Sequence, residues 1–287
     1  MAWFWLALAA AFLLATSDFL IRRYFQGLPW GQVVLLRFAG IIPLSLAILV
    51  AAPLPRVDPA FFWAVGLALP AELTAAVLYV RAIQLSPLAL TQPFMAFSPL
   101  FVVGTGYFTL GELPSPAGFL AVGLVVAGAY ILNVHQAKTG VWAPLLAIRR
   151  EKGSWLMLVV SLLYAYTSVL GKKAILASSP WFMAGVYPPL MGIGLVTILA
   201  LRGEFPRSWP GRRGPMAALA LCMTGMGVCH YWAISLAPAA YMIAVKRMSI
   251  VFAVLYGGVL LGEKRLGQHL AAAGLMAAGA GLILLWG

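Results

Sequence analysis

Long apolar stretches fill most of this 287-residue chain and constrain its fold more than any other feature. A helix needs about 20 mostly apolar residues to cross the hydrocarbon core of a bilayer. Strands of a membrane β-barrel would alternate apolar and polar residues, whereas runs such as 156–163 do not alternate. The pattern therefore predicts an all-α integral membrane protein with ten transmembrane helices, at residues 3–22, 32–52, 61–83, 88–110, 115–134, 154–174, 182–201, 214–235, 239–261 and 266–286.

The composition excludes several classes of protein. Charged residues make up 9% of the chain, whereas soluble domains carry about 25%, so soluble enzymes and secreted disulfide scaffolds are excluded. Basic residues of membrane proteins collect in cytoplasmic loops, so the net charge of +12 indicates no nucleic-acid partner. Cys222 and Cys229 lie in one apolar stretch, which suits buried thiols better than a metal site. We expect no metal and no cofactor.

The chain also contains an internal repeat with an offset of 151 residues. Pairs of residues in the first half recur at this offset in the second half, as in Pro29-Trp30 and Pro180-Trp181, Gly111-Glu112 and Gly262-Glu263, and Ala127-Gly128 and Ala278-Gly279. The repeat predicts two five-helix units, 1–134 and 154–287, joined by a polar hinge at 135–153. Repeats of this size in helical membrane proteins are typical of transporters, with the substrate held near the midplane.

The odd number of helices per unit predicts that the second unit enters the membrane from the opposite side. The loops on one face carry thirteen Lys and Arg residues, and the other face carries three, Arg56, Lys172 and Lys173. Because basic loops stay in the cytoplasm, this asymmetry predicts inverted repeats with both termini outside the cytoplasm. Glu112 and Glu263 lie at loop edges, and we assign them a structural role in capping or gating.

Two segments carry a family resemblance. "AIQLSPLALTQPFMAFSPLFVVGTGYFTLGE" (82–112) and "AISLAPAAYMIAVKRMSIVFAVLYGGVLLGE" (233–263) resemble the EamA-type repeat of the drug/metabolite transporter (DMT) superfamily. The resemblance implies two inverted five-helix repeats around a central cavity, and alternating access without ATP. Members export amino acids or drugs, or move sugar phosphates and nucleotide sugars. They usually keep both termini in the cytoplasm, opposite to the orientation that the charge count predicts.

A second resemblance concerns two neighbouring cations. The segment "AVKRMSIVF" (244–252) is similar to the ninth-helix Lys-Arg pair by which plastidic sugar-phosphate/phosphate translocators bind phosphate. By this resemblance, Lys246 and Arg247 are anion ligands. Both lie about 12 Å from the start of their predicted helix, which favours a water-filled cavity, although a structural polar network is the alternative. Arg offers a two-pronged donor to phosphate or carboxylate, and Lys offers a compact charge.

Glu72 lies at the middle of the predicted helix 61–83. A charge at the centre of a membrane helix costs about 2.5–3.5 kcal/mol on insertion scales, and such residues usually face a cavity or a partner. Glu72 is therefore either a structural ion-pair partner of Arg37, Lys246 or Arg247, or a carboxylate that binds substrate and couples transport to protons. The matching residue in the second repeat is Met223, so this role would be asymmetric.

Other polar residues within the predicted helices are candidates for the cavity wall: Arg37, Tyr79, His230, Gln92 and Tyr241. Tyr79 follows Glu72 by seven residues, so both lie on one face of a helix. Arg37 either lines the cavity or extends to the membrane surface. His230 is either a packing residue or part of the site.

These residues predict a secondary active transporter for a small polar, anionic metabolite, such as an organophosphate or a carboxylate. The alternatives are a proton-coupled exporter of amino acids, aromatic compounds or cationic drugs that uses Glu72, and a flippase for a lipid phosphate. The expected partners are the substrate, the lipid bilayer, and a proton or counter-substrate. We expect the inner membrane of a bacterium. An enzyme is not expected, since the three histidines, His135, His230 and His269, lie in separate segments.

Overall fold

The computed structural model describes residues 1–86, 88–136, 142–148, 150–206, 211–260 and 266–286. These residues form α-helices and one 3-10 segment, Gln92–Phe97, with no strand among them. The helices, in chain order, are α1 Ala2–Tyr24, α2 Trp30–Ala39, α3 Ile41–Ala51, α4 Pro59–Leu85, α5 Leu88–Thr91, α6 Ser98–Leu110, α7 Pro116–Gln136, α8 Ala143–Ala147, α9 Lys152–Leu176, α10 Pro180–Leu201, α11 Arg213–Leu236, α12 Ala239–Lys246, α13 Ser249–Leu260 and α14 Leu266–Trp286.

The predicted all-α membrane architecture is confirmed. Within the described ranges, nine helical segments are long and apolar enough to cross a membrane, and the part Ala271–Trp286 of α14 is a shorter apolar segment. The chain is therefore a multi-pass integral membrane protein. The count of ten spans remains a prediction. Part of the predicted hinge 135–153, namely 137–141 and 149, lies outside the described residues.

Three of the helices that we predicted as continuous are broken. α2 and α3 meet at Gly40, where an added Cβ would lie 2.4 Å from Ala220 Cβ on α11. The segment between α5 and α6 contains Pro93, and Pro99 follows at the start of α6. Proline lacks a backbone N–H and disfavours a continuous helix. The third break separates α12 from α13 at Arg247, with neither proline nor glycine at the break.

The packing of several helices follows the internal repeat: when each helix of such a packed pair is replaced by its counterpart 151 residues away, the two counterparts are also packed together. By this offset α1 corresponds to α9, α4 to α11, and α6 to α13. The structure packs α1 against α11 and also α4 against α9, and it packs α1 against α13 and also α6 against α9. α7 and α14, which correspond to each other, pack together. Each of these packed pairs therefore occurs with its counterpart.

Two glycines make the contact between α7 and α14 reciprocal. A Cβ on Gly128 would lie 2.8 Å from Ala272 O and 3.0 Å from Met276 N. A Cβ on Gly279 would lie 2.7 Å from Ala121 O and 3.0 Å from Val125 N, which are the matching residues of the first repeat. Small residues allow membrane helices to approach closely. Here each helix has one glycine that lies against the backbone of the other helix.

We expect Gly128→Ala and Gly279→Ala each to lower the melting temperature of the purified protein. The added methyl group would overlap backbone atoms, and overpacking typically costs about 1–3 kcal/mol. Gly123→Ala and Gly274→Ala are matched controls, because nothing lies within 4 Å of a Cβ at either position. Alanine is the better helix former, so the controls should melt no earlier than the wild type. Equal melting temperatures for all four variants would contradict the close contact.

Candidate functional site

A cavity of about 930 Å³ lies between helices of both halves of the chain. Seven of the eight predicted site residues line it: Arg37, Glu72, Tyr79, Gln92, His230, Lys246 and Arg247. They come from α2, α4, the 3-10 segment, α11, and the junction of α12 with α13. The structure therefore brings together polar residues that are as far as 210 positions apart in sequence (37 to 247).

Lys246 and Arg247 occupy the break between α12 and α13. Lys246 ends α12, and its Nζ lies 3.3 Å from Nδ1 of His230. Arg247 donates from Nε to Ser98 Oγ at 3.1 Å, and its terminal nitrogen also donates to Ser98. Arg37 forms an ion pair with Asp18 and Lys172 with Glu112, whereas Lys246 and Arg247 have no described carboxylate within 4.0 Å. The two cations thus face the cavity with neutral hydrogen-bond partners, an arrangement that can bind an anion.

Glu72 is held by a contact between the two halves of the chain. Tyr187 on α10 is buried, with 7% of its surface exposed, and its hydroxyl donates to the Glu72 carboxylate. Pro70 lies two residues before Glu72, and Pro188 and Pro189 follow Tyr187. The ion pair that one interpretation assigned to Glu72 is not formed with any described Lys or Arg residue. The described hydrogen bond of this carboxylate is therefore to an uncharged side chain, Tyr187.

The other predicted residues divide into three cases. Arg37 lines the cavity, but it forms an ion pair with Asp18, which offsets its charge. Tyr79 and Gln92 hydrogen-bond to each other, with Nε2 of Gln92 donating to the tyrosine hydroxyl at 2.8 Å. Tyr241 is buried outside the cavity, where its hydroxyl accepts the backbone N–H of Ser115 at 2.9 Å. Tyr241 therefore ties α12 to the start of α7.

Two hydrogen-bond partners of the charged cavity residues escaped the sequence analysis. Tyr187 and Ser98 are uncharged, and neither occurs in a motif that marks it as a ligand. Ser98 has a serine counterpart at Ser249, and both line the cavity. This conserved identity between the two repeats was the one signal that could have directed attention to Ser98.

A second polar cluster lies near the ends of α6 and α9, and we call it the Lys172 clasp. Lys172, with 4% of its surface exposed, forms an ion pair with Glu112 and donates to Ala237 O at 2.6 Å. Glu112 also accepts the backbone N–H of Ala239 at 2.9 Å. Glu112 therefore caps the start of α12. The counterpart carboxylate, Glu263, lies outside the described residues.

The clasp corrects one detail of the charge count. That count treated Lys172 as a basic residue at a membrane face, whereas the structure buries it as an ion-pair partner of Glu112. A neutralised, buried lysine contributes little to the positive charge of a loop. The membrane face to which the sequence assigned Arg56, Lys172 and Lys173 therefore carries less positive charge than that count indicated.

No group of three or more His, Cys, Asp or Glu residues in the described ranges could hold a metal ion. Cys222 and Cys229 are free thiols and only partly exposed.

Comparisons with known proteins identify the family and the fold of the chain. The model of the "EamA-like transporter family" matches the chain twice, over residues 1–134 and 151–285. No curated protein matches the chain. A protein of known crystal structure superposes with a TM-score of 0.73 at 18% identity, over 98% of this chain and 96% of the other, which shows a shared fold. The chain therefore belongs to the EamA-like transporter family, whose members are DMT-type membrane transporters of small molecules.

Proposed function

We propose that the protein is a secondary active transporter of a small organic anion, an organophosphate or a carboxylate, in the inner membrane of a bacterium. The substrate binds Lys246 and Arg247 in the central cavity, and the two repeats move around it to expose the cavity to each side in turn. Ten transmembrane helices form two inverted five-helix repeats. A proton carried by Glu72, or an exchanged counter-substrate, supplies the coupling.

The anion proposal rests on the surroundings of the two adjacent cations, which face the cavity without a described carboxylate in ion-pair contact. Lys246 and Arg247 line the cavity and have His230 and Ser98, both without formal negative charge, as hydrogen-bond partners. Glu72 attracts Lys246 electrostatically, although it is not within ion-pair distance. Charge within a membrane is costly, so a bound anion in contact with both cations would stabilise this arrangement. The helix break next to them resembles the discontinuous helices that form many transporter sites.

The reciprocal packing supports the inverted architecture. The exchange of matched helices converts the pairs α1–α11 and α1–α13 into the observed pairs α9–α4 and α9–α6. The contact of Gly128 with α14 likewise has its counterpart in the contact of Gly279 with α7. Reciprocal contacts of this kind are expected when a two-fold axis relates the two repeats. If each repeat has five transmembrane helices, the second repeat starts on the opposite side of the membrane and is inverted relative to the first.

A second candidate function, export of cationic compounds, is supported by the surroundings of Glu72. The Glu72 carboxylate lines the same cavity and has no described Lys or Arg within ion-pair distance. It could attract the ammonium group of an amino acid or of a cationic drug. Proton-coupled export of such compounds is therefore the alternative.

Ligand-dependent thermal stabilisation distinguishes the two candidates. A ligand that binds only the folded protein raises its melting temperature. We expect organophosphates or carboxylates to stabilise the purified wild type, and quaternary amines to have no effect. Stabilisation by amines together with no response to any anion would overturn the proposal in favour of an exporter centred on Glu72.

Glu72→Gln tests the coupling separately. We expect the variant to retain anion exchange in proteoliposomes but to lose the acceleration by an imposed pH gradient, because glutamine cannot carry the proton. Tyr187 can still donate to the glutamine oxygen, so the packing of α4 against α10 should persist. Glu204→Gln, at an exposed carboxylate, is the control and should keep the gradient response. A full gradient response in Glu72→Gln would exclude Glu72 as the proton carrier.

A further inference from the structure

α4 presents two different faces. Glu72, Ala76, Tyr79 and Val80 line the central cavity. The residues next to them, Leu73, Thr74, Val77, Leu78 and Arg81, line a separate open groove of about 290 Å³ that Ile198 of α10 completes. Because helical positions four residues apart lie on one face, Leu73, Val77 and Arg81 form a continuous row along this groove.

The groove combines an apolar floor with one cation. Leu73, Val77, Leu78 and Ile198 are partly buried, whereas Thr74 and Arg81 are exposed. A Cβ on Gly194 would lie 2.6 Å from Leu73 Cδ1, so the glycine allows α10 to close one end of the floor. The face of a membrane helix that is exposed and apolar is covered by lipid chains, so a lipid chain is the occupant that suits this groove.

The position of Arg81 near one end of α4 suits the depth of lipid headgroups. It precedes the end of α4 at Leu85 by four residues, about 6 Å at 1.5 Å per residue. Ile198 precedes the end of α10 at Leu201 by three residues, so both helices end on this side of the membrane. No described carboxylate lies within ion-pair distance of Arg81. A lipid phosphate would provide the missing counter-charge.

We propose that this groove is a binding site for an anionic phospholipid, with the phosphate at Arg81 and an acyl chain along Leu73, Val77 and Ile198. The charge of the site selects the anionic headgroup. A zwitterionic lipid would bring an ammonium group that finds no described carboxylate partner at Arg81. Basic residues near a membrane surface each contribute about 1 kcal/mol of attraction to anionic lipids. The site is on the lipid-facing side of α4, and it is independent of the substrate proposed for the cavity.

The test is thermal unfolding of the full chain in detergent with added dioleoyl phosphatidylglycerol or dioleoyl phosphatidylcholine. We expect phosphatidylglycerol to raise the wild-type melting temperature by about 3–6 °C, as a site occupied well above its dissociation constant does. Phosphatidylcholine should raise it much less. Arg81→Gln should lose most of the difference between the two lipids, and Arg81→Lys should keep a part of it.

Two further variants separate the site from general surface charge. Arg23→Gln removes an exposed arginine near the end of α1 and should keep the wild-type preference for phosphatidylglycerol. Val77→Trp fills the floor and should weaken the response while Arg81 remains. The proposal is overturned if Arg23→Gln and Arg81→Gln lose the preference equally. It is also overturned if inorganic phosphate reproduces the effect at Arg81, or if neither lipid stabilises the wild type.

Discussion

Lys246→Ala is expected to weaken anion binding by about 30-fold or more. Truncating one member of a buried, hydrogen-bonded charge pair costs about 2–5 kcal/mol, and 1.4 kcal/mol corresponds to a factor of ten. The variant removes the cation whose contact with His230 is long, at 3.3 Å, and which is therefore the freer of the two to bind substrate. Isothermal titration with the anion that stabilises the wild type measures the loss.

Variants at Arg247 and Lys173 provide the comparison for the anion affinity of Lys246→Ala. Arg247→Lys keeps the charge but removes the two-pronged donor, so its loss should be smaller than that of Lys246→Ala. Lys173→Ala removes an exposed lysine near the end of α9 and should bind as the wild type does. Unchanged affinity in Lys246→Ala, in a protein that melts normally, would mean that the basic pair is a structural network.

Lys172→Met is expected to cause the largest loss of stability. Removing one partner of a buried ion pair leaves the other charge uncompensated and typically costs about 3–5 kcal/mol. Here the loss would leave Glu112 and Ala237 O without the lysine that both contact. The melting temperature of the purified protein measures the effect, and Lys173→Met at the neighbouring exposed position is the matched control.

A double variant tests whether the loss of stability comes from the broken ion pair between Lys172 and Glu112. Lys172→Met combined with Glu112→Gln removes both charges, so it should be less destabilised than the sum of the single variants. Glutamine can still accept the N–H of Ala239, which keeps the cap of α12. Additive losses would show that Lys172 and Glu112 do not interact, and a stability of Lys172→Met equal to that of the wild type would contradict the buried pair itself.

The positions of the membrane helices could be predicted because hydrophobicity acts on each segment by itself. In the described ranges each predicted stretch is mostly helical, with breaks inside three of them, and the central charges Glu72, Lys246 and Arg247 do face one cavity. A charged side chain inside a membrane has few low-energy surroundings, so its presence alone indicates a cavity or a partner.

The partners of these charges could not be predicted because they depend on contacts between distant segments. Tyr187 lies 115 residues from Glu72, and Ser98 lies 149 residues from Arg247. The Lys172 clasp joins residues 60 and 65 positions apart. No periodicity within one helix carries such information. The break at Arg247 escaped prediction for a different reason, because a helix can end without proline or glycine when tertiary contacts stabilise the end.

Transport by purified protein in proteoliposomes tests the central proposal most directly. The assay would measure uptake of the stabilising anion against an equal concentration of a quaternary amine, for the wild type, Lys246→Ala and Lys173→Ala. We predict anion uptake by the wild type and by Lys173→Ala, and uptake near the level of empty liposomes for Lys246→Ala. Uptake of the amine by all three proteins, with no transport of the anion, would contradict a substrate site built on Lys246 and Arg247.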